Sequence, residues 1–229
     1  MKDADEARRK VKRVVIPVFL VSFIVIGLML FLPAGSFGYW QGWLFMLTVF
    51  LPVLFVVSYF LNHDPALLER RMRHKEKESN QKWIVQITGL MFFIGILVPG
   101  LDYRYGWSHV PVWLVIASNL LMLLGYLLVF LVIKENSYTS RIVEVQKGQK
   151  VIATGPYSVV RHPMYAGVIL MYLTMPLALG SYWALLFFIP TIPMIMFRAL
   201  DEERVLLKGL KGYKEYCQKV KYRLIPWIW

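Results

Sequence analysis

Long apolar runs separated by short polar stretches dominate the chain. Residues 14–32, 43–61, 83–101 and 111–133 form four runs, each close to the roughly twenty residues a helix needs to cross about 30 Å of hydrocarbon. Two shorter runs follow, 164–179 and 183–197, joined only by Gly180, Ser181 and Tyr182. They read as a tight helical hairpin, tilted or stopping short of the far surface. Pro17, Pro52, Pro99, Pro176, Pro190 and Pro193 fall inside or at the ends of these runs. Neighbouring groups in a membrane bundle can re-satisfy the backbone that proline frees, so kinks and not breaks are expected. The pattern predicts an all-α, polytopic membrane helix bundle of five to six transmembrane helices.

Composition agrees with that pattern. The 229 residues are 58% hydrophobic and 17% charged, with a mean hydropathy of +0.53, where a soluble domain averages about a quarter charged. A net charge of +12 would suit a nucleic-acid partner, but its placement argues against one. Of the 26 Lys and Arg residues, only Arg104 lies in a loop on one side of the predicted spans; the rest lie beyond the other ends. That asymmetry places both termini and the basic loops in the cytoplasm. It also predicts contact with anionic lipid headgroups and no nucleic-acid partner. The first run reads as an anchor, because no small-residue cleavage site follows it. Cys217, the only cysteine, cannot form an internal disulfide and is expected as a reduced thiol.

The spans hold almost no ionisable side chains, so no intramembrane charge pathway is indicated. The outer loops 33–42 and 100–110 are short and weakly charged, which leaves three cytoplasmic segments: 62–82, 134–163 and 198–229. The run from Arg70 to Glu78 mixes both signs of charge and reads as a solvated surface beside the lipid. More distinctive is Thr154-Gly155-Pro156-Tyr157 followed by Arg161-His162-Pro163-Met164-Tyr165. Gly-Pro signals a loop, and Pro163 suits a first helical turn. His162 then stands at the cap with Tyr165 one turn further in, on the same side. Free N–H groups and the positive dipole end at such a start can hold an anionic or hydroxyl-bearing ligand. Taken alone, His162 and Tyr165 also fit a plain interfacial cap and a belt aromatic. The four histidines show no metal-ligand spacing. As the last run ends, Arg198 and Glu202 are one helical turn apart and can touch, and Asp201, Glu202 and Glu203 offer acidic groups to a cationic ligand.

These residues resemble the membrane-embedded isoprenylcysteine carboxyl methyltransferases, in their prokaryotic-type branch, and the related phospholipid N-methyltransferases. The resemblance rests on Gly155-Pro156-Tyr157, Arg161-His162-Pro163-Met164-Tyr165-Ala166-Gly167, Glu202-Glu203 and the tail Gly212-Tyr213 through Tyr222-Arg223-Leu224-Ile225-Pro226. It covers residues 134–229 and divides the chain into a four-span region, 1–133, and a methyltransferase-like region, 134–229. It implies S-adenosylmethionine as cofactor, at a cytoplasmic site of helix ends and loops, since no Gly-rich nucleotide-binding turn is present. Tyr157, Arg161, His162, Tyr165, Glu202 and Glu203 are the implied cofactor-binding residues, with Glu202 or Glu203 pairing the ligand ammonium. Arg198 is the implied clamp on an acceptor carboxylate, oriented by Glu202. The implied acceptor is a lipid or lipid-modified molecule, and the implied location a prokaryotic-type cell membrane. Residues alone assign neither the acceptor nor an oligomeric state. Two other readings stay open: a nicotinamide-dependent reductase of the sterol-reductase type, and a non-enzymatic membrane scaffold.

Overall fold

A computed structural model describes residues 2–71, 79–138, 145 and 148–229. The described residues contain helices and no strands: α1 Lys2–Ala34, α2 Trp40–His63, α3 Pro65–Arg71, α4 Ser79–Tyr105, α5 Val112–Glu135, α6 Pro163–Ala178, α7 Leu185–Phe188, α8 Thr191–Gly209 and α9 Tyr213–Lys219. Arg73 to Glu78, the greater part of the mixed-charge run read as solvated surface, lies outside the described residues. The chain is an integral membrane protein built as a polytopic helix bundle. Four helical stretches are long and apolar enough to cross a bilayer: Val11–Ala34, Trp40–His63, Val85–Tyr105 and Val112–Glu135. Their lipid-facing side chains, among them Ile16, Val18, Leu20 and Val21 of α1, are exposed, as expected where lipid and not water is the solvent.

The expected hairpin is present, with legs shorter than full spans. The 16 residues of α6 reach about 24 Å at 1.5 Å per residue, less than the hydrocarbon thickness. The second leg is less regular than expected: α-helical hydrogen bonding is interrupted between α7 and α8, while Ile189 and Pro190 at the junction keep right-handed helical dihedrals. Pro190 and Pro193 lack the N–H groups that would bond to Leu186 and Ile189, so two rungs three residues apart are lost. Local bonds replace part of the ladder. The Ile189 carbonyl accepts from the Ile192 amide at 3.1 Å, and the Thr191 hydroxyl donates to the Phe188 carbonyl at 2.5 Å. By contrast Pro17, Pro52, Pro99 and Pro176 sit within continuous helices.

Close backbone approach holds the bundle together. A Cβ on Gly125 of α5 would lie 2.6 Å from Met171 Cγ and 3.0 Å from the Gly167 carbonyl of α6, and one on Gly100 of α4 would lie 2.5 Å from the Leu30 carbonyl of α1. Small residues at such crossings let membrane helices gain dispersion contacts that the hydrophobic effect does not supply in lipid. Leu30, Ile96, Met122 and Phe188 form the buried centre. At the end carrying Arg104, Asp102 is buried and accepts hydrogen bonds from the Ser108 amide and hydroxyl, both at 2.6 Å, and from the Ser181 hydroxyl at 2.5 Å. This clasp ties α4 to the turn of the hairpin and so fixes the point from which α7 and α8 return toward the basic end.

Candidate functional site

At the basic end, the loop entering α6 is folded by its own turn residues. Gly155 adopts φ +57° and opens a 3-10 turn, Gly155–Ser158, a backbone conformation that favours glycine. Thr154 Oγ1 donates to Glu135 at the end of α5, and Asn136 Nδ2 donates to the Tyr157 hydroxyl at 3.1 Å. The Tyr216 hydroxyl of α9 donates to the Tyr157 carbonyl at 2.7 Å. Tyr157 is thereby held between α5 and α9, against the cluster of Leu206, Leu210, Tyr213, Tyr216 and Val220.

His162 caps α6 by position, with Pro163 in the first turn. Its side chain makes no capping bond; the imidazole turns instead toward α8. Nor are all N–H groups there free. Those of Arg161 and His162 donate to the Tyr222 and Arg223 carbonyls at 2.9 and 2.8 Å, so the C-terminal segment is laid against the loop where α6 begins.

The adjacent acids of α8 serve two separate polar sets, because successive helical residues point about 100° apart. Glu203, 4% exposed, meets three basic groups. Its Oε1 lies 3.0 Å from an Arg161 terminal nitrogen and 3.3 Å from His162 Nε2, and its Oε2 lies 2.9 Å from Arg223 Nε. Burial pushes the Glu203 carboxyl up, but hydrogen bonds from His162 and Arg223 and the charges of His162 and Arg161 outweigh it. The group ends below its ordinary value of 4.5. Glu202 faces the other way and accepts a 2.7 Å hydrogen bond from the Tyr165 hydroxyl, and Arg198 hydrogen-bonds the same phenol. The structure thus brings Arg161, His162 and Glu203 into one cluster and Tyr165, Arg198 and Glu202 into the next. The His162 and Tyr165 rings, 5.7 Å apart, join them. Tyr157 stands at the edge, beside α9.

Two features of the site escaped the sequence reading. Arg223 completes the Glu203 cluster; in sequence it stands in the tail motif of the resemblance without a role at the site. Tyr213 is buried, and its hydroxyl, like Arg161 Nε, has no hydrogen-bond partner among the described residues. Burial, then the charge of Glu203, pushes the Tyr213 phenol up. The tail motif that carries the resemblance includes both residues, but their partners depend on the tail returning to α6, which no local pattern specifies.

Beside Tyr165 and Arg198 a groove of about 430 Å³ opens between α4, α6 and α8. Val85, Phe92, Val168, Tyr172 and Ile195 supply apolar walls, and Thr88, Tyr165 and Arg198 are polar lining groups. An apolar cleft with a few convergent polar groups suits a molecule that is mostly hydrocarbon with one polar end.

Comparison with known proteins bears on this end of the molecule. A stretch of 87 residues is 33% identical to the Delta(14)-sterol reductase TM7SF2 of Mus musculus, covering 36% of this chain and 20% of that protein. The match therefore spans about a fifth of the length of the curated relative. Residues 113–211, which include α5 but for Val112 and the whole of α6, α7 and α8, match the phospholipid methyltransferase family, and that match supports reading the chain as a membrane methyltransferase.

Proposed function

We propose that the chain is an S-adenosylmethionine-dependent methyltransferase of the isoprenylcysteine carboxyl methyltransferase type, acting on a lipid or lipid-modified carboxylate. The observation that carries this reading is the apolar groove between α4, α6 and α8 lined at its polar part by Arg198 and Tyr165, next to the Glu203 cluster. In this reading residues 1–133 supply most of the membrane scaffold, and 134–229 carry the chemistry at the cytoplasmic face of a prokaryotic-type cell membrane.

The residues fit the cofactor. Arg161 Nε and the Tyr213 hydroxyl are buried donors without partners among the described residues, a state costing about 1–3 kcal/mol each that a ligand oxygen would relieve. A carboxylate and ribose hydroxyls are such oxygens. Tyr157, Arg161, His162, Tyr165, Glu202 and Glu203 are the proposed binding residues. Because both Glu203 oxygens already serve Arg161, His162 and Arg223, Glu203 organises the cationic side and Glu202 is the better partner for an ammonium. When bound, S-adenosylmethionine supplies an activated methyl group on a sulfonium centre.

Arg198 and Glu202 do the work on the acceptor. A guanidinium grips a carboxylate through two parallel hydrogen bonds, and Glu202 with Tyr165 holds that guanidinium in place. An acceptor carboxylate is already ionised at neutral pH, so no general base is required. Catalysis by the chain is then alignment, with exclusion of water by the groove walls.

The sterol-reductase relative favours a second reading, a nicotinamide-dependent reductase, and one experiment separates the two. Purified protein in nanodiscs is titrated calorimetrically with S-adenosylhomocysteine and with NADPH. Saturable binding of the first, weakened about ten- to a hundredfold in His162→Ala by loss of a contact worth roughly 1.5–3 kcal/mol, is expected. Binding of NADPH alone would replace the methyltransferase reading with the reductase.

A further inference from the structure

The turn at residues 225–228 presents apolar side chains that the described residues leave largely uncovered, the Tyr222 ring at 6.2 Å from that of Trp227 being a neighbouring aromatic. Trp227 and Ile228 are 85% and 77% exposed, and Ile225 is also exposed, whereas Leu224 beside them is buried. Trp227 moreover holds φ +63°, a conformation that bulky L-residues avoid. The turn is nevertheless well made. The Trp229 carbonyl accepts from the amides of Arg223, Leu224 and Ile225 at 2.8, 3.0 and 3.3 Å, and the Arg223 guanidinium lies 5.3 Å over the Trp229 ring. A tightly bonded turn thus displays a tryptophan in a disfavoured conformation, with no compensating burial among the described residues.

What lies outside is set by position. The bonds from the Arg161 and His162 amides to the Tyr222 and Arg223 carbonyls fix the segment at the residues immediately before α6, so the turn stands where the chain enters the membrane. Lys219 and Lys221, close to the turn in sequence, are exposed, and residues 216–229 contain no acid. Tryptophan beside lysines is the composition that settles at an anionic bilayer interface. From this placement we propose that residues 225–228 form a membrane-surface anchor, seated in the headgroup layer of the chain's own bilayer, and that the anchor keeps Arg223 docked on Glu203. The link is direct, since Arg223 Nε is 2.9 Å from Glu203 Oε2. The inference is independent of the reaction catalysed.

The test uses the full chain in nanodiscs of phosphatidylcholine and phosphatidylglycerol. A fluorophore is attached at Ile228→Cys in a Cys217→Ser background, with Lys214→Cys as the aqueous control. Quenching by headgroup-level nitroxide lipids, with protection from iodide relative to position 214, is expected. Equal iodide access at both positions overturns the anchor. Protection from iodide without nitroxide quenching also overturns it, because a protein surface, such as a second copy of the chain, would then cover the turn. Unlabelled Trp227→Ser/Ile228→Ser protein tests the link without any cofactor. Hydrogen exchange at the Arg161 and His162 amides is expected to quicken at least about fivefold as the tail loosens, and unchanged exchange would overturn the coupling.

Discussion

Glu202 and Glu203 are neighbours of the same chemistry with different work, and the difference comes only from where each carboxylate points. Glu203 is buried among Arg161, His162 and Arg223, and its pKa is held below 4.5. A depressed carboxylate pKa contributes stability that is present above the unfolded value and fades as pH falls through the folded value. Glu203→Gln is therefore expected to melt lower than wild type at pH 7, with the gap closing once pH drops below about 4.5. Detergent melting curves across pH check this, and a pH-independent gap would assign the effect to packing alone. Arg198 belongs to the other set. Arg198→Lys keeps the charge and loses the planar fork. Near-normal binding of S-adenosylhomocysteine with turnover reduced at least about tenfold, or roughly 1.4 kcal/mol of transition-state stabilisation, is the expected result. A purely structural pairing would instead lower the melting temperature and leave the folded fraction fully active.

Among the elements, the contact of α5 with α6 sets where His162 and Tyr165 stand, and two glycines permit it. A methyl group on Gly125 would press on the Gly167 carbonyl at 3.0 Å and on Met171, and a backbone carbonyl cannot swing aside as a side-chain tip can. Gly125→Ala is expected to destabilise the protein by about 1–3 kcal/mol through overpacking. A thermal melt in nanodiscs reads this directly, and wild-type stability would mean that the two helices can separate without cost. The interruption at Pro190 lies on the other leg of the hairpin. Beyond it α8 buries Ile195 and Ala199 and brings Glu203 to Arg161, His162 and Arg223.

For the whole molecule, the charge asymmetry predicts the orientation: along the sequence, all Lys and Arg residues except Arg104 fall beyond the same ends of the spans. In a Cys217→Ser background, Tyr105→Cys is expected to react with a membrane-impermeant maleimide in intact cells, and Lys150→Cys only after lysis. The reverse pattern would invert the topology and move the site to the outer face. The helical bundle was legible without a structure because apolar run length is a direct physical response to bilayer thickness. The cap at His162 was legible too, because Gly155-Pro156 and Pro163 constrain the backbone locally. Two things were not. The interruption in the last apolar run depends on whether neighbours replace the rungs lost at Pro190 and Pro193, and hydropathy carries no information about that. The joining of Arg223 to Glu203 and of Tyr213 to the same cluster depends on the tail folding back across residues 161–162. Sequence alone thus determined the membrane-spanning class and the residue types gathered near its basic end, through properties that act over one helix or one turn. Tertiary structure decided which carboxylate meets which cation, because that pairing is set by contacts between segments far apart in the chain.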